Sequence, residues 1–261
     1  MKPLFDLTGT AAVVTGSSRG IGLAVARALL AQGADVVVNG RDPAETTEVH
    51  KTLTEEYPAV GGRPRVVASA GDVTDPTVAP ALIAASLDAF GRIDHVVCNA
   101  GMDIIKPAVD YGPDEWDRIL AVNLRGAFLP AQAAARHWMA ESEPGSVTMT
   151  SSIAGCVGIA FLAPYAASKG GINQLVRTLA AEWASHSIRV NAVAPGYAAN
   201  TMAGVTVQQG TVSDRRIKTF TPMARRATLE EIAAPYAFLA SPAAGFITGS
   251  VLAVDGGYTA T

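Results

Sequence analysis

A chain of 261 residues that is 49% hydrophobic and 16% charged, with a net charge of −3, has the apolar mass for one large α/β domain and offers no basic face to nucleic acid. No apolar run reaches the roughly 18 residues of a membrane span, and the opening Met-Lys-Pro-Leu-Phe-Asp is too polar for a secretion signal. Cys98 and Cys156 are too few for a disulfide framework and read as buried thiols, and His50, His95, His137 and His186 lack metal-ligand spacing; the expectation is a cytoplasmic protein with no metal, no membrane contact and no nucleic-acid partner.

The first unit reads as strand (11–15), glycine turn (Gly16-Ser-Ser-Arg-Gly20-Ile-Gly22), helix (23–32, closed by Gly33) and strand (35–39). This is the context of a dinucleotide fingerprint, here spaced G-x-x-x-G-x-G. The glycines let the backbone turn tightly and approach a pyrophosphate, whose charge rests on the helix N-terminus. After the second strand comes Val38-Asn39-Gly40-Arg41-Asp42-Pro43. Gly40 stands where a carboxylate for the ribose 2′-OH of NAD is expected, and Arg41 and Arg19 supply cations suited to a 2′-phosphate. NADP(H) is therefore preferred and NAD(H) kept as possible, the competing readings being an Arg19 held at the surface and an Asp42 turned inward to serve NAD.

The alternation continues with a strand at 65–69, Gly71-Asp72-Val73, a helix at 77–90 and a strand at 93–98 ending in Asn99-Ala100-Gly101. Asp72 is placed to accept from the adenine amino group and Asn99 to brace the sheet end, with a turn-forming role open for both. Two helices, 113–125 and 127–141, follow; Asn123 within Ile119-Leu-Ala-Val-Asn-Leu needs a partner if buried.

Strand 146–150 ends at Ser151-Ser152, and a helix from 164 to about 185 opens with Pro164. On it Tyr165 and Lys169 stand at i and i+4, on one face. A free tyrosine, with a pKa of about 10, is a poor proton shuttle at neutral pH, and a nearby ammonium is expected to lower it. Ser152 holding a carbonyl oxygen while Tyr165 moves its proton is the chemistry this trio permits. Strand 188–193, Pro195-Gly196, an irregular stretch at 196–225 expected to form a substrate lid, a helix at 229–239 and a strand at 251–254 complete the chain. The expected fold is α/β: a Rossmann-type doubly wound parallel sheet of about seven strands with helices on both faces, one domain over 1–261.

In order, Thr15-Gly-Ser-Ser-Arg-Gly-Ile-Gly22, Asp72-Val73, Asn99-Ala-Gly101, Asn123, Ser152, Tyr165-x-x-x-Lys169, Pro195-Gly196 and Asp255-Gly-Gly257 resemble the single-domain branch of the short-chain dehydrogenase/reductase family over essentially the whole chain. The chain is also similar to 3-oxoacyl-carrier-protein-reductase-like and glucose-dehydrogenase-like members. The resemblance implies Tyr165 as general acid/base, Lys169 on the nicotinamide ribose and lowering the tyrosine pKa, Ser152 (three residues before Gly155) orienting the carbonyl, and Asn123 holding a helix kink and a proton-relaying water. Taken with the residue reading above, it places the cofactor on Gly16, Ser18, Arg19, Gly20, Ile21, Gly22, Asn39, Arg41, Asp72, Val73, Asn99, Ala100, Gly101, Tyr165, Lys169, Pro195, Gly196 and Thr201. The family's threonine for the nicotinamide amide falls at Asn200 here, with Thr201 next, and the role stays open between them. The functional expectation is an NADP(H)-preferring oxidoreductase interconverting a secondary alcohol and a ketone. An NAD-linked sugar or alcohol dehydrogenase, or a catalytically silent dinucleotide-binding regulator, is the alternative. Partly on the same resemblance, the apolar outer faces of helices 113–141 and 164–185 imply a homotetramer.

Overall fold

A computed structural model describes residues 3–198 and 212–260. Among them, seven strands form one parallel sheet in the order β3-β2-β1-β4-β5-β6-β7. They are β1 (Ala11–Val14), β2 (Asp35–Val38), β3 (Val66–Ala68), β4 (His95–Cys98), β5 (Gly145–Thr150), β6 (Ile188–Pro195) and β7 (Val251–Val254). Short runs rich in Val and Ala, such as Ala-Ala-Val-Val in β1, suit strands covered on both faces. Each strand sends alternate side chains to opposite layers. Ala11 and Val13 join one core, against α3 (Val78–Phe90), α5 (Gly126–Glu141) and α6 (Ala163–Trp183). Ala12 and Val14 join the other, against α1 (Gly20–Ala31), α2 (Pro43–Glu56) and α8 (Leu229–Ala240). The expected doubly wound sheet is thus present, and the order reverses between β1 and β4, where such sheets open a crevice beyond the strand ends.

Helix α2 was not anticipated from the sequence. Of its side chains only Thr46 and Leu53 are buried, so it carries almost no apolar stripe to read. Its start is nonetheless conventional: Pro43 occupies the first turn, and the Asp42 carboxylate accepts from the Ala44 and Glu45 amides.

The two helices expected at 113–141 are continuous through a π-turn. Helix α4 (Pro113–Leu120) runs into wider turns at Ala121–Arg125 and then into α5. A π-turn is one residue of slack in a helix and often marks a functional position; here it carries Asn123. Of the thiols, Cys98 is buried inside β4 as expected, whereas Cys156 is exposed, a correction. Helix α7 (Val212–Phe220) lies in the expected lid segment, most of the rest of which is outside the described residues. No helix among those described is long and apolar enough to cross a membrane.

Candidate active site

The site is built on a hydrogen-bonded seam along the carboxyl ends of β1, β4 and β5. The Thr15 hydroxyl, fully buried, accepts from the amides of Asn99 (2.9 Å) and Ala100 (3.1 Å). The Asn99 side chain donates to the carbonyls of Thr15 (3.2 Å) and Gly16 (3.1 Å), and its oxygen accepts from the Thr150 hydroxyl (3.3 Å). Thr150 also meets the Tyr236 hydroxyl from α8 at 2.8 Å. The two strand ends are packed as closely as they are bonded. A methyl group at Gly16, whose φ is +62°, would lie 2.7 Å from the Ala100 Cα, so glycine is required there on two counts.

Past this seam, β5 delivers Ser151 and Ser152. Ser151 is buried and bonds to the Asn173 side chain and to the Lys169 carbonyl (3.4 Å), which ties it to α6. Ser152 is near enough to the Tyr165 hydroxyl to oppose the rise in its pKa, and it accepts from the Ala154 amide at 3.1 Å. Lys169 lies one turn on from Tyr165, as the i,i+4 spacing requires. Its ammonium donates to the Thr150 carbonyl at 2.7 Å and lies 5.6 Å from the Tyr165 ring centre. The structure thus brings Ser152, Tyr165 and Lys169 together, with Ser151 turned to structural use.

Asn123, from the π-turn, is buried with its amide fully engaged. Its oxygen accepts from the Met102 amide (2.8 Å), and its nitrogen donates to the Met102 carbonyl (2.9 Å) and to Ser168 (3.1 Å). Ser168 in turn donates to the Tyr165 carbonyl at 2.6 Å. A side chain added at Gly101 would meet the Asn123 oxygen at 3.4 Å and the Lys169 ammonium at 3.7 Å, so both groups border the same small space.

The protonation states differ from the sequence expectation. In the protein alone, burial pushes the Tyr165 phenol up to about 12, the Ser152 hydrogen bond opposing this and the Asp103 charge adding to it. Burial also pulls Lys169 down to about 8. Lys169 therefore does not make Tyr165 an easy phenolate here, because desolvation acts against the charged form of both groups.

The cofactor residues divide into contacts and supports. Helix α1 begins at Gly20 with no side chain capping it and no acid in its first turn, in contrast to α2 and to α8, where Thr228 and Glu231 cap reciprocally. The amides of Gly20, Ile21 and Gly22 thus keep their capacity for an anion, which fits a pyrophosphate. Gly22 is also required by packing: a methyl group there would lie 2.2 Å from the Gly16 carbonyl oxygen and 2.5 Å from the Asn99 amide nitrogen. The Asn39 side chain, expected on the cofactor, is bound to the Gly16 amide (3.3 Å) and the carbonyls of Ser69 (3.0 Å) and Gly71 (3.1 Å), so it ties the turn to the segment after β3. Asp72 forms a turn with the Thr74 amide and hydroxyl, and Val73 packs against Gly126. Gly196 packs against Asp255, whose carboxylate gathers the Gly257 and Thr259 amides, so the last glycine motif holds Pro195-Gly196 in place. Asn200 and Thr201 lie outside the described residues.

Around the expected 2′-phosphate position, Arg19 is paired with Glu45 at 3.1 Å and Ser18 donates to the same carboxylate at 3.4 Å. The pair is about half exposed, 55% and 48% for the two side chains, so it holds Arg19 only weakly. Arg41 is exposed beside it. Asp42 does not turn inward, because its carboxylate caps α2. Gly40 has no room for an acid: its Cβ would lie 2.6 Å from the Thr46 hydroxyl and 3.0 Å from the Ser18 Cβ. Sequence reasoning missed Glu45 because it missed α2, and missed Thr15, Thr150 and Tyr236 because their roles exist only across strands.

A family model described as enoyl-(acyl carrier protein) reductase matches residues 16–259. The chain is 41% identical to cis-4-hydroxycyclohexanecarboxylate dehydrogenase of Sinomonas cyclohexanicum, over 95% of this chain and 96% of that protein. It is 37% identical to the L-tagatose-forming galactitol 2-dehydrogenase of Cereibacter sphaeroides, over 99% and 98%. Among solved structures it is similar to gluconate 5-dehydrogenase from Burkholderia cenocepacia in complex with NADP and tartrate. That match has 34% identity and a TM-score of 0.90, over 99% of this chain and 98% of that one.

The buried ammonium carries a stability signature. Unfolded, Lys169 holds its proton to about 10.5, but folded only to about 8. Between those values the unfolded chain binds more protons, so the Lys169 contribution to stability rises with pH across that window. Below it the folded protein bears a penalty of about 3 kcal/mol, partly offset by the bond to Thr150. Lys169→Met should therefore be about 1–3 kcal/mol more stable than the parent at pH 7, with the difference shrinking by pH 10. Urea midpoints of the two proteins at both pH values, without cofactor, check this.

Proposed function

The chain belongs to the short-chain dehydrogenase/reductase family, NAD(P)-dependent oxidoreductases of CH–OH and C=O groups, and from that premise we propose that it prefers NADP(H) and interconverts a secondary alcohol and a ketone at Ser152, Tyr165 and Lys169. The observation that carries this reading is the convergence of a half-buried Tyr165, Ser152 and a buried Lys169 whose ammonium lies 5.6 Å from the tyrosine ring centre, at the strand ends beside an uncapped helix N-terminus. The names of its relatives do not choose the substrate, since they include a neutral polyol and hydroxy acids.

The bound nicotinamide supplies the hydride acceptor or donor. In reduction, Ser152 donates a hydrogen bond to the substrate carbonyl oxygen while Tyr165 gives it a proton as negative charge develops there. A phenol at about 12 in the free protein stays protonated across the neutral range, the state that reduction needs. In oxidation, Tyr165 acts as the phenolate, takes the hydroxyl proton and becomes the phenol again, and the Lys169 charge favours the phenolate that starts the step. Asn123 holds Met102 and Ser168, and through Ser168 the first turn of α6, so the phenol keeps its aim.

For the cofactor, Arg41 and Arg19 meet the 2′-phosphate, and Arg19 leaves Glu45 to do so. An exposed ion pair of this kind is worth about 0–1 kcal/mol, less than a charged hydrogen bond to phosphate, at about 1.5–3 kcal/mol. Exchange of partners is therefore downhill.

For assembly, a groove of about 1050 Å³ runs along α4, the π-turn, α5 and α6, lined by Leu120, Leu124, Phe128, Gly171 and Leu175 with Asp117, Arg118 and Arg125 at hand. An apolar floor with acid and base beside it is self-complementary, as a two-fold contact between copies requires. The assembly proposed is a homotetramer using this face.

Three measurements follow. Tyr165→Phe should lower kcat by more than about 100-fold while NADPH binding stays near the parent value; turnover within tenfold of the parent would remove the acid/base assignment. Arg41→Ala should weaken NADPH by about 10- to 150-fold and leave NADH nearly unchanged, and a parent enzyme with higher kcat/KM for NADH would overturn the NADP preference. Light scattering at micromolar concentration should give four times the chain mass; a monomer would rule out the assembly.

A further inference from the structure

Asp103 is a carboxylate that the acid/base chemistry does not use, yet it stands at that chemistry. The segment Gly101–Asp103 passes over the site, with Gly101 bordering the Lys169 ammonium. Met102 is clamped at both its amide and its carbonyl by Asn123. On the far side, the Tyr111 hydroxyl bridges the carbonyls of Ile104 and Phe161, and the Lys106 amide donates to Phe161 at 3.2 Å. Asp103 is thus carried on backbone fixed from both directions.

Its side chain is half-buried, and its charge reaches the Tyr165 phenol. Among the described residues, no lysine or arginine pairs with it, and the hydrogen bond it receives is from its own backbone. The nearest cation along the chain, Lys106, is already paired with Glu115. Burial pushes the Asp103 carboxyl up, as expected for an acid without a counter-charge. A half-buried carboxylate whose charge reaches a catalytic phenol is placed for a ligand hydroxyl to donate to it in place of water.

We propose that Asp103 sets substrate class: its carboxylate accepts a hydrogen bond from a hydroxyl that a neutral polyhydroxy substrate carries close to the reacting carbinol, and its charge excludes substrates bearing a carboxylate there. The inference rests on the oxidoreductase reading of the Ser152, Tyr165 and Lys169 site. Exposed Ile105, Val157 and Phe161 on the same two loops offer apolar surface to the carbon skeleton.

The test compares kcat/KM of the full-length parent on a neutral polyol, the aldonate of the same carbon chain, an amino-alcohol analogue and a simple secondary alcohol such as cyclohexanol. The parent should favour the polyol over the aldonate by about tenfold or more. Asp103→Asn keeps an acceptor but removes the charge, so it should raise aldonate turnover by about tenfold and leave the polyol within a few fold. It should also move the alkaline limb of the pH profile to lower pH, because the Asp103 charge no longer opposes the phenolate; a merely structural role would leave that limb in place. Asp103→Leu should lose polyol turnover by about tenfold or more, chiefly in KM, with NADPH binding retained as the sign of an intact fold. Equal parent activity on polyol and aldonate, a preference for the ammonium analogue, or an unchanged polyol-to-aldonate ratio in Asp103→Asn overturns the inference, while turnover of cyclohexanol leaves the oxidoreductase reading standing. Failure of the parent on every alcohol and ketone, with either cofactor, overturns that reading and this inference with it.

Discussion

The Thr15–Asn99–Thr150 seam is the contact on which the rest of the site depends. Parallel strands end side by side with their last carbonyls and amides unpaired, and buried backbone groups must find partners. Here the Thr15 hydroxyl and the Asn99 amide supply them across β1 and β4, and the Thr150 hydroxyl extends the line to β5 by donating to Asn99. Thr15 and Asn99 hold the glycine turn against Ala100. The Thr150 carbonyl receives the Lys169 ammonium. The cofactor half and the proton-transfer half of the molecule are therefore aligned by one short hydrogen-bonded line, braced from below by Tyr236.

Close packing at this line and an electrostatic cost beside it belong together. Glycines at 16 and 22 let two backbones meet at distances no side chain permits, which brings the α1 amides to the crevice. Beside this line Lys169 is buried and Tyr165 half-buried, and desolvation shifts both toward their neutral forms. The free protein thus holds a site that favours an added negative charge near Lys169, as a substrate oxygen or phenolate would provide. Stability is lower for it, in keeping with the general tension between a poised site and a stable one.

Much of this was legible in the sequence, for reasons that differ by residue. The strands announced themselves as Val- and Ala-rich runs between turn residues, and Tyr165 and Lys169 declared a common face through their spacing alone. Ser152 needed more than local pattern, because Ser151 is its equal there: the family resemblance selected it through its distance from Gly155, and the partner Asn173 shows why Ser151 is not free for the same task. Helix α2 was missed for want of an apolar stripe, and Glu45 with it, so the pairing of Arg19 went unseen. Asn39 and Asp72 are polar at strand ends, where side chains serve a ligand or the backbone alike, and both engage backbone groups in the structure. The π-turn has no sequence period of its own. Asn200 and Thr201 fall outside the described residues, so their roles rest on sequence alone.

The crowding around Gly40 bears on how cofactor use in this lineage can change. An acid placed at the end of β2 has to displace the Thr46 hydroxyl, which itself bonds the Asp42 carbonyl at 2.7 Å in the first turn of α2. It would also press on Ser18 in the glycine turn. Reading an unphosphorylated ribose through position 40 therefore demands at least a smaller residue at 46 in the same step, with the start of α2 disturbed in between. Changes at Arg41 or Glu45 meet no such obstacle, because both side chains are exposed. The two directions of evolutionary drift are unequal: charge on the exposed rim can be traded one residue at a time, whereas the buried position acts as a ratchet.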